Sequence, residues 1–160
     1  MWRSIPGLAL ALVAAGAAAE PSPHPGVADP IAFMAARYAD YRGGNPRVLA
    51  IDDYASARLR GHLYAFDQAA GGQEVDSLDF WIDGTDGVLT GLGLTLEPQR
   101  RADRQTIIAR FRNRDRPVTL RFHFIREGGS WYLDEAVKPG RRGWTLTGRL
   151  AMRPTDPPNP

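Results

Sequence analysis

Few side chains in this 160-residue sequence are arranged for chemistry, and that scarcity narrows the reactions open to it. It contains no cysteine, which removes disulfides, thiolate metal sites, a thiol nucleophile and the lipidated cysteine of a bacterial lipoprotein. Its three histidines, His24, His62 and His123, never stand four apart on one element, so no metal-ligand spacing exists and no native metal is expected. Ser56, Ser77 and Ser130 lack the Gly-x-Ser-x-Gly elbow. The glycine-rich stretch from Gly84 to Gly93 opens no helix, so it is neither a phosphate loop nor a dinucleotide fingerprint, and no cofactor is expected. General acid–base work is the remaining enzymatic option, and His62, Asp79 and Asp83 are the groups that would carry it. The same region has a second reading as a binding face. Asp79, Trp81 and Asp83 alternate with Leu78, Phe80 and Ile82, as on a strand with one polar side. With Arg110, Arg112 and Arg121 they would surround a partly exposed Trp with charge, the usual composition of an interface anchor. Because Leu78, Phe80 and Ile82 already supply a core face, the alternation favours the binding face over a catalytic pocket.

Charge is distributed unevenly. From Asp52 to Asp86 eight acids stand against two bases, a net of −6; from Gln99 to Arg126 nine bases stand against two acids, a net of +7. Two regions of opposite sign in one domain are expected to lie against each other, and the alternative is an arginine-rich face that meets an acidic partner or anionic ligand. Nucleic acid is not expected, since Phe111, Phe122 and Phe124 fall on the face opposite the arginines and leave no aromatic ring there for bases to stack on. The arginines sit on predicted strands and not on an amphipathic helix, which argues against a membrane-surface role.

Two kinds of apolar rhythm define the elements that would position these groups. Asp29-Pro30 is an N-cap followed by a first-turn proline, and Ile31, Met34, Tyr38 and Tyr41 then recur at helical spacing until Gly43-Gly44-Asn45-Pro46. A second helical region is predicted from Asp52 or Asp53 to Gln68, with Leu59, Leu63 and Phe66 as its stripe and Gly71-Gly72 as its end. Near residue 77 the period changes to two. Strands are predicted over Ser77–Asp83, Val88–Leu96 and Gln105–Asn113, then over the Val118, Leu120, Phe122, Phe124 alternation and through Trp131–Val137. Asn113 to Pro117 reads as a hairpin connection. Trp144 to Met152 fits a helical turn and a strand equally. Helices followed by consecutive strands imply an α+β fold, with N-terminal helices packed on a curved antiparallel sheet of four or five strands. The conical space in such a fold is either a ligand cavity or a core plugged by side chains.

The ends read differently from this middle. Residues 1–19 combine Arg3, an apolar run from Ile5 to Ala15 and the small residues Ala17 and Ala19, an export signal with cleavage expected between Ala19 and Glu20. Residues 20–28 are expected to form a flexible proline-rich leader, 29–152 a single domain, and 153–160, with four prolines, a disordered tail. No second apolar stretch approaches the roughly 20 residues of a membrane span, so no stable insertion is expected once the signal is removed. The expected location is periplasmic or secreted.

The strand Gly128-Gly129-Ser130-Trp131-Tyr132-Leu133-Asp134-Glu135 resembles the closing G-x-W-x-I-D-D strand of NTF2-like (cystatin-like α+β) domains, following a strand of the Thr119–Arg126 type as it does there. Leu63-Tyr64-Ala65-Phe66-Asp67 with Gly72-Gln73-Glu74-Val75-Asp76 is similar to the D-P-F…Q-D region of the small exported bacterial family DUF3828. Gln68 replaces the usual proline, Glu74 the aspartate, and Leu133 and Glu135 the usual Ile and Asp. The resemblance spans roughly residues 30–150 and implies the cone fold and export. NTF2-like domains include isomerases and dehydratases with an Asp or His inside the cone, so it also implies a cavity role for His62, Asp79 or Asp83, with Trp81 and Tyr64 as walls. The residues together favour a non-enzymatic exported binding protein that acts through the sheet face or the cone, with a protein partner of the immunity type as one version. The alternative is a small-molecule-binding domain or a cofactor-free isomerase or lyase using the cone. A homodimer through the sheet is compatible with either.

Overall fold

Asp29 starts the first helix as its position suggests. In the computed structural model, which describes residues 24–42, 50–70, 79–84 and 88–152, its carboxylate accepts hydrogen bonds from the N–H groups of Ile31 (2.9 Å) and Ala32 (3.2 Å). These are donors that the first helical turn leaves without a partner. Helix α1 covers Pro30–Arg42 and buries Met34, Tyr38 and Tyr41 together with Arg37, while Ile31, expected on that face, is 36% exposed. The export-signal and tail segments, the 43–46 terminator and the 71–78 part of the family-like motif lie outside the described residues.

Five antiparallel strands follow one another in both chain and sheet order: β1 (Leu89–Glu97), β2 (Arg104–Asn113), β3 (Arg116–Glu127), β4 (Ser130–Lys138) and β5 (Trp144–Thr145). Each of the two long hairpins turns on two residues. Gly128 (φ 55°) and Gly129 (φ 94°) both occupy the left-handed region, whose twist matches the flanking strands β3 and β4. Arg114 (φ 54°) and Asp115 join β2 to β3, so the longer connection expected at 113–117 contracts and Asn113 pairs with Arg116. The segment that fitted both helix and strand contains one of each. Thr145 ends β5, and its hydroxyl accepts the Gly148 N–H (3.0 Å) to cap helix α3, Leu146–Ala151.

The second helical region also divides. A single 3-10 turn spans Ile51–Asp53, and helix α2 begins only at Ala57 and runs to Ala70. Between them the backbone extends along the outer edge of β4, where Ser56 N–H donates to Leu133 C=O (2.8 Å) and Leu133 N–H to Tyr54 C=O (2.7 Å). Ser56 Oγ then accepts the Leu59 N–H (3.1 Å) and donates to Asp134 (2.7 Å), so one residue caps α2 and ties it to the sheet. Residues 24–28, read from sequence as flexible leader, are pinned to the same edge. Val27 bridges Trp131 in both directions, and Gly26 lies so close to Tyr132 and the Trp131 carbonyl that a Cβ would sit 2.8–2.9 Å from them.

The concave side of the curved sheet carries the core. Ile107, Ala109 and Phe111 from β2 and Val118, Leu120, Phe122 and Phe124 from β3 are all buried, as their alternation predicts. Helix α1 packs over this side, with Tyr38 against Phe111 and Phe122. Trp81 stacks on Phe122 at a ring separation of 4.9 Å and meets Tyr38 edge-on.

Trp81 therefore overturns the expected strand and its outward face. Residues 79–84 are a closed turn: Asp79 N–H donates to Gly84 C=O (3.0 Å), the Asp79 carboxylate accepts the Trp81 N–H (2.9 Å), and Asp83 takes φ 52°. Trp81 is 2% exposed and Asp83 5%. The physical reason is the size of the indole. Burying it in the gap between α1 and β3 removes more apolar surface from water than any strand pairing of this short segment would.

Candidate functional site

The six residues singled out as a binding face separate into two groups in the structure. Trp81 and Asp83 are buried, and Asp79 is half-buried at the start of the same turn. Asp79 accepts a hydrogen bond from the Tyr41 hydroxyl. Burial first, and the Asp79 carboxylate second, push the Tyr41 phenol far above its ordinary range, while burial pushes Tyr54 up to about 12. Asp83 is ringed by donors: Lys138 Nζ at 2.7 Å, Trp144 Nε1 at 2.8 Å and Arg116 at 3.5 Å. Arg149 stacks over Trp144 at 4.1 Å, and burial lowers its pKa against the opposing pull of Asp83. This constellation locks the 79–84 turn to β4, β5 and α3. It is a structural tie.

His62 stands apart from both carboxylates. It lies half-buried on α2, and no hydrogen bond or ion pair joins it to Asp79 or Asp83 among the described residues. Tyr64, expected as a cavity wall, is 68% exposed. The places where Trp81 and the carboxylates would have lined a cone are filled by the aromatic cluster itself. Among the described residues no group of acids and histidines is placed to hold a metal ion.

Arg110, Arg112 and Arg121 project from the convex face of the sheet, opposite the core. The register pairs Arg112 with Thr90 and Pro117, Arg110 with Gly93 and Thr119, and Arg121 with Ile108 and Val137. Arg110 and Arg112 are exposed, two residues apart and on the same side. No carboxylate pairs with Arg110 among the described residues, and Arg112 uses one guanidinium nitrogen on the Asp115 carbonyl. Arg121 is more confined and reaches Glu97 on β1 at 3.6 Å.

Sequence reasoning missed the polar half of this face. His123 Nδ1 hydrogen-bonds Thr106 Oγ1 at 2.9 Å on the neighbouring strand. Opposite it the β3–β4 register slips by one residue, which brings both Asp134 and Glu135 into this region. Asp134 pairs with Arg58 (3.0 Å) and stands 3.8 Å from Arg104. Glu135 receives the Thr147 N–H (3.1 Å) and hydroxyl and so anchors α3. Burial lowers the His123 pKa, with Arg121 adding to the effect and the carboxylates of Glu135, Glu97 and Asp134 opposing it. Burial opposes ionisation of Asp134, yet the bonds from Arg58 and Ser56 outweigh it and hold the carboxyl below its usual range. Two adjacent acids interrupting the alternation of β4 were the available signal.

Part of the charge match expected from the sequence is present among the described residues: Asp83 meets Arg116 at 3.5 Å, while Arg101, Arg104 and Arg121 turn to Asp103, Asp134 and Glu97; Glu74, Asp76 and Asp86 lie outside the described residues. An open depression of about 400 Å³ lies at the β1–β2 turn, lined by Leu96, Glu97, Gln99, Arg104 and Gln105. Compared with known proteins, the chain matches no family model, no curated protein and no solved structure.

Proposed function

We propose that this chain is an exported, non-enzymatic binding protein that holds an acidic protein partner on the convex face of its sheet. The observation that carries the reading is the pair Arg110 and Arg112, exposed on one face with no carboxylate on Arg110 among the described residues, and flanked by small residues (Thr90, Gly93, Thr119) that let a partner approach closely. Guanidinium groups so placed suit two-pronged contacts with carboxylates. Arg121 and Glu97, already paired, form the rim of that patch. The signal-like N-terminus supports export, and the resemblance to NTF2-like and DUF3828 proteins supports the same location. The cone reading has less support, because Trp81, Phe122, Phe124 and Tyr38 occupy the space a small ligand would need.

The test is affinity capture from periplasmic extract, with wild-type protein compared against the double variant Arg110→Glu, Arg112→Glu and a His62→Ala control. The reading expects a partner held by wild type and by the control, released by moderate salt, and lost from the double variant. Retention of the same partner by the double variant would remove the convex face from consideration. A partner lost on His62→Ala would redirect attention to α2.

A further inference from the structure

Among the described residues the sheet has one edge with chain segments docked on it and one edge with none, and the second is self-complementary. Strand β1 is the terminal strand, and among the described residues its backbone hydrogen bonds run only to β2. Its sequence, Leu89-Thr-Gly-Leu-Gly-Leu-Thr-Leu-Glu97, carries no charge before its last residue and no proline or lysine. Those are the residues by which sheet proteins usually keep an edge from pairing. A bulge with Gly91 at φ 64° disrupts only the first part; from Gly93 to Glu97 the strand pairs residue for residue with β2 and is regular. Thr95 and Leu96 are exposed, Leu96 at 48%, and Val88 just before the strand is 66% exposed.

We infer that this edge pairs with β1 of a second copy of the chain, antiparallel about a two-fold axis at Thr95, joining two five-stranded sheets into one. In that register Thr95 meets Thr95, Leu94 meets Leu96, and Gly93 meets Glu97. Within Gly93–Glu97 each leucine then faces a leucine and each glutamate a glycine, so no like charges oppose one another there. Shifting the axis to Leu96 would set Glu97 of one copy against Thr95 of the other, and an axis at Glu97 would oppose the two carboxylates. The regular part of the strand is short, so the dimer is a weak, concentration-dependent one. The inference is independent of the partner proposed for Arg110 and Arg112, which project from the convex face and not from the edge.

Sedimentation equilibrium across a concentration series tests it. Wild type should dimerise. Thr95→Lys, which sets two ammonium groups directly opposite across the axis, and Thr95→Glu, which does the same with carboxylates, should each sediment as monomers at concentrations where wild type is dimeric. An equimolar mixture of the two variants should recover the dimer. Thr95 is exposed, so both variants are expected to fold, and circular dichroism checks this. Because the chain has no cysteine, a Thr95→Cys spin label adds a second readout: a short label-to-label distance across the axis in wild-type background. A monomeric wild type at every concentration overturns the inference. So does a dimer indifferent to Thr95→Lys, or a mixture that stays monomeric. Capture of an extended peptide from another protein by a monomeric wild type would also overturn it, assigning the edge to that occupant.

Discussion

The two edges of the sheet are built in opposite ways. Along β4 three separate pieces of chain are docked: Val27 against Trp131, residues 54–56 against Leu133, and β5 against Val137 and Lys138. Polar side chains reinforce each junction, with Tyr132 donating to the His24 carbonyl, Ser56 and Arg58 on Asp134, and Lys138 and Trp144 on Asp83. Among the described residues, strand β1 has none of this. It is covered by α1 on one side and carries glycine and threonine where the other edge carries bonded charges. An edge with unpaired backbone groups is normally blunted; among the described residues one edge carries three docked segments and the other none, which is the contrast behind the dimer inferred above. That contrast can be broken by variants on the sealed side and sharpened by variants on the bare side.

The largest effect belongs to Asp83. Replacing it with Ala removes the side-chain partner of Lys138 and Trp144 at once and leaves their donors unmatched beside the core, while Arg116 keeps its hydrogen bond to the residue 83 carbonyl. It also places a residue with no side-chain oxygen at φ 52°. Loss of about 3 kcal/mol of unfolding free energy is expected, near the lower end for a broken buried pair because Lys138 is partly exposed. Asp83→Asn keeps the left-handed preference and a hydrogen-bond acceptor while losing the charge, so it should recover part of the loss. Urea unfolding of both variants measures it. Equal destabilisation by Ala and Asn would assign the whole effect to the ion pair.

This residue also shows where sequence reading works and where it stops. The α1 cap at Asp29 and the β2–β3 alternation were legible because their causes are local: a side chain two or three residues from its donor, and a pleat that turns every second residue inward. The α+β order followed from those periods. Asp79 to Asp83 offered the same alternation with a different cause. Asp79 folds back onto the Trp81 N–H, Gly84 closes the turn, and an indole enters a space created by α1 and β3, elements distant in sequence. Local pattern cannot register a vacancy that tertiary structure creates. Asp83-Gly84 is a dipeptide of the kind that marks turns, and it holds the residue that adopts a positive φ. The candidate site divided along the same line. Arg110, Arg112 and Arg121 were found on the regular strands, while the Thr106–His123 contact and the paired acids of β4 needed the strand register.

Acid should weaken the sealed side in two separate steps. The depressed pKa of His123 means that the unfolded chain takes up its proton first, so this contribution is complete above the ordinary value of 6.5 and is lost as pH falls through the lower folded value. Asp134 has the same sign at lower pH: its contribution is complete above the ordinary 3.8 and disappears as pH falls through the depressed folded value. His123→Gln should flatten the first decline without moving the second. Arg58→Ala removes the largest influence holding the Asp134 carboxyl low, so it brings the folded value back toward the ordinary one and should shrink the second decline. Thermal unfolding measured from pH 7.5 to pH 3 resolves the two windows. A stability curve unchanged by Arg58→Ala would show that the ties along the β4 edge are independent of this carboxylate.

The smallest effect is expected on the bare edge, and its smallness is the point of measuring it. Leu96 lies on the concave side opposite Ile107 but remains 48% exposed, so truncation to Ala removes only the covered half of its apolar surface. Less than about 1 kcal/mol of unfolding free energy should be lost, against several times that for a fully buried leucine. The measurement belongs at protein concentrations low enough for the monomer to dominate, because association stabilises the folded state by mass action. The destabilisation should then grow with protein concentration, since Leu96 would face Leu94 of the second copy and its loss would weaken the dimer as well. A loss that is large and independent of concentration would mean that β1 is held by the monomer as firmly as β4, and the asymmetry between the two edges would lose its functional meaning.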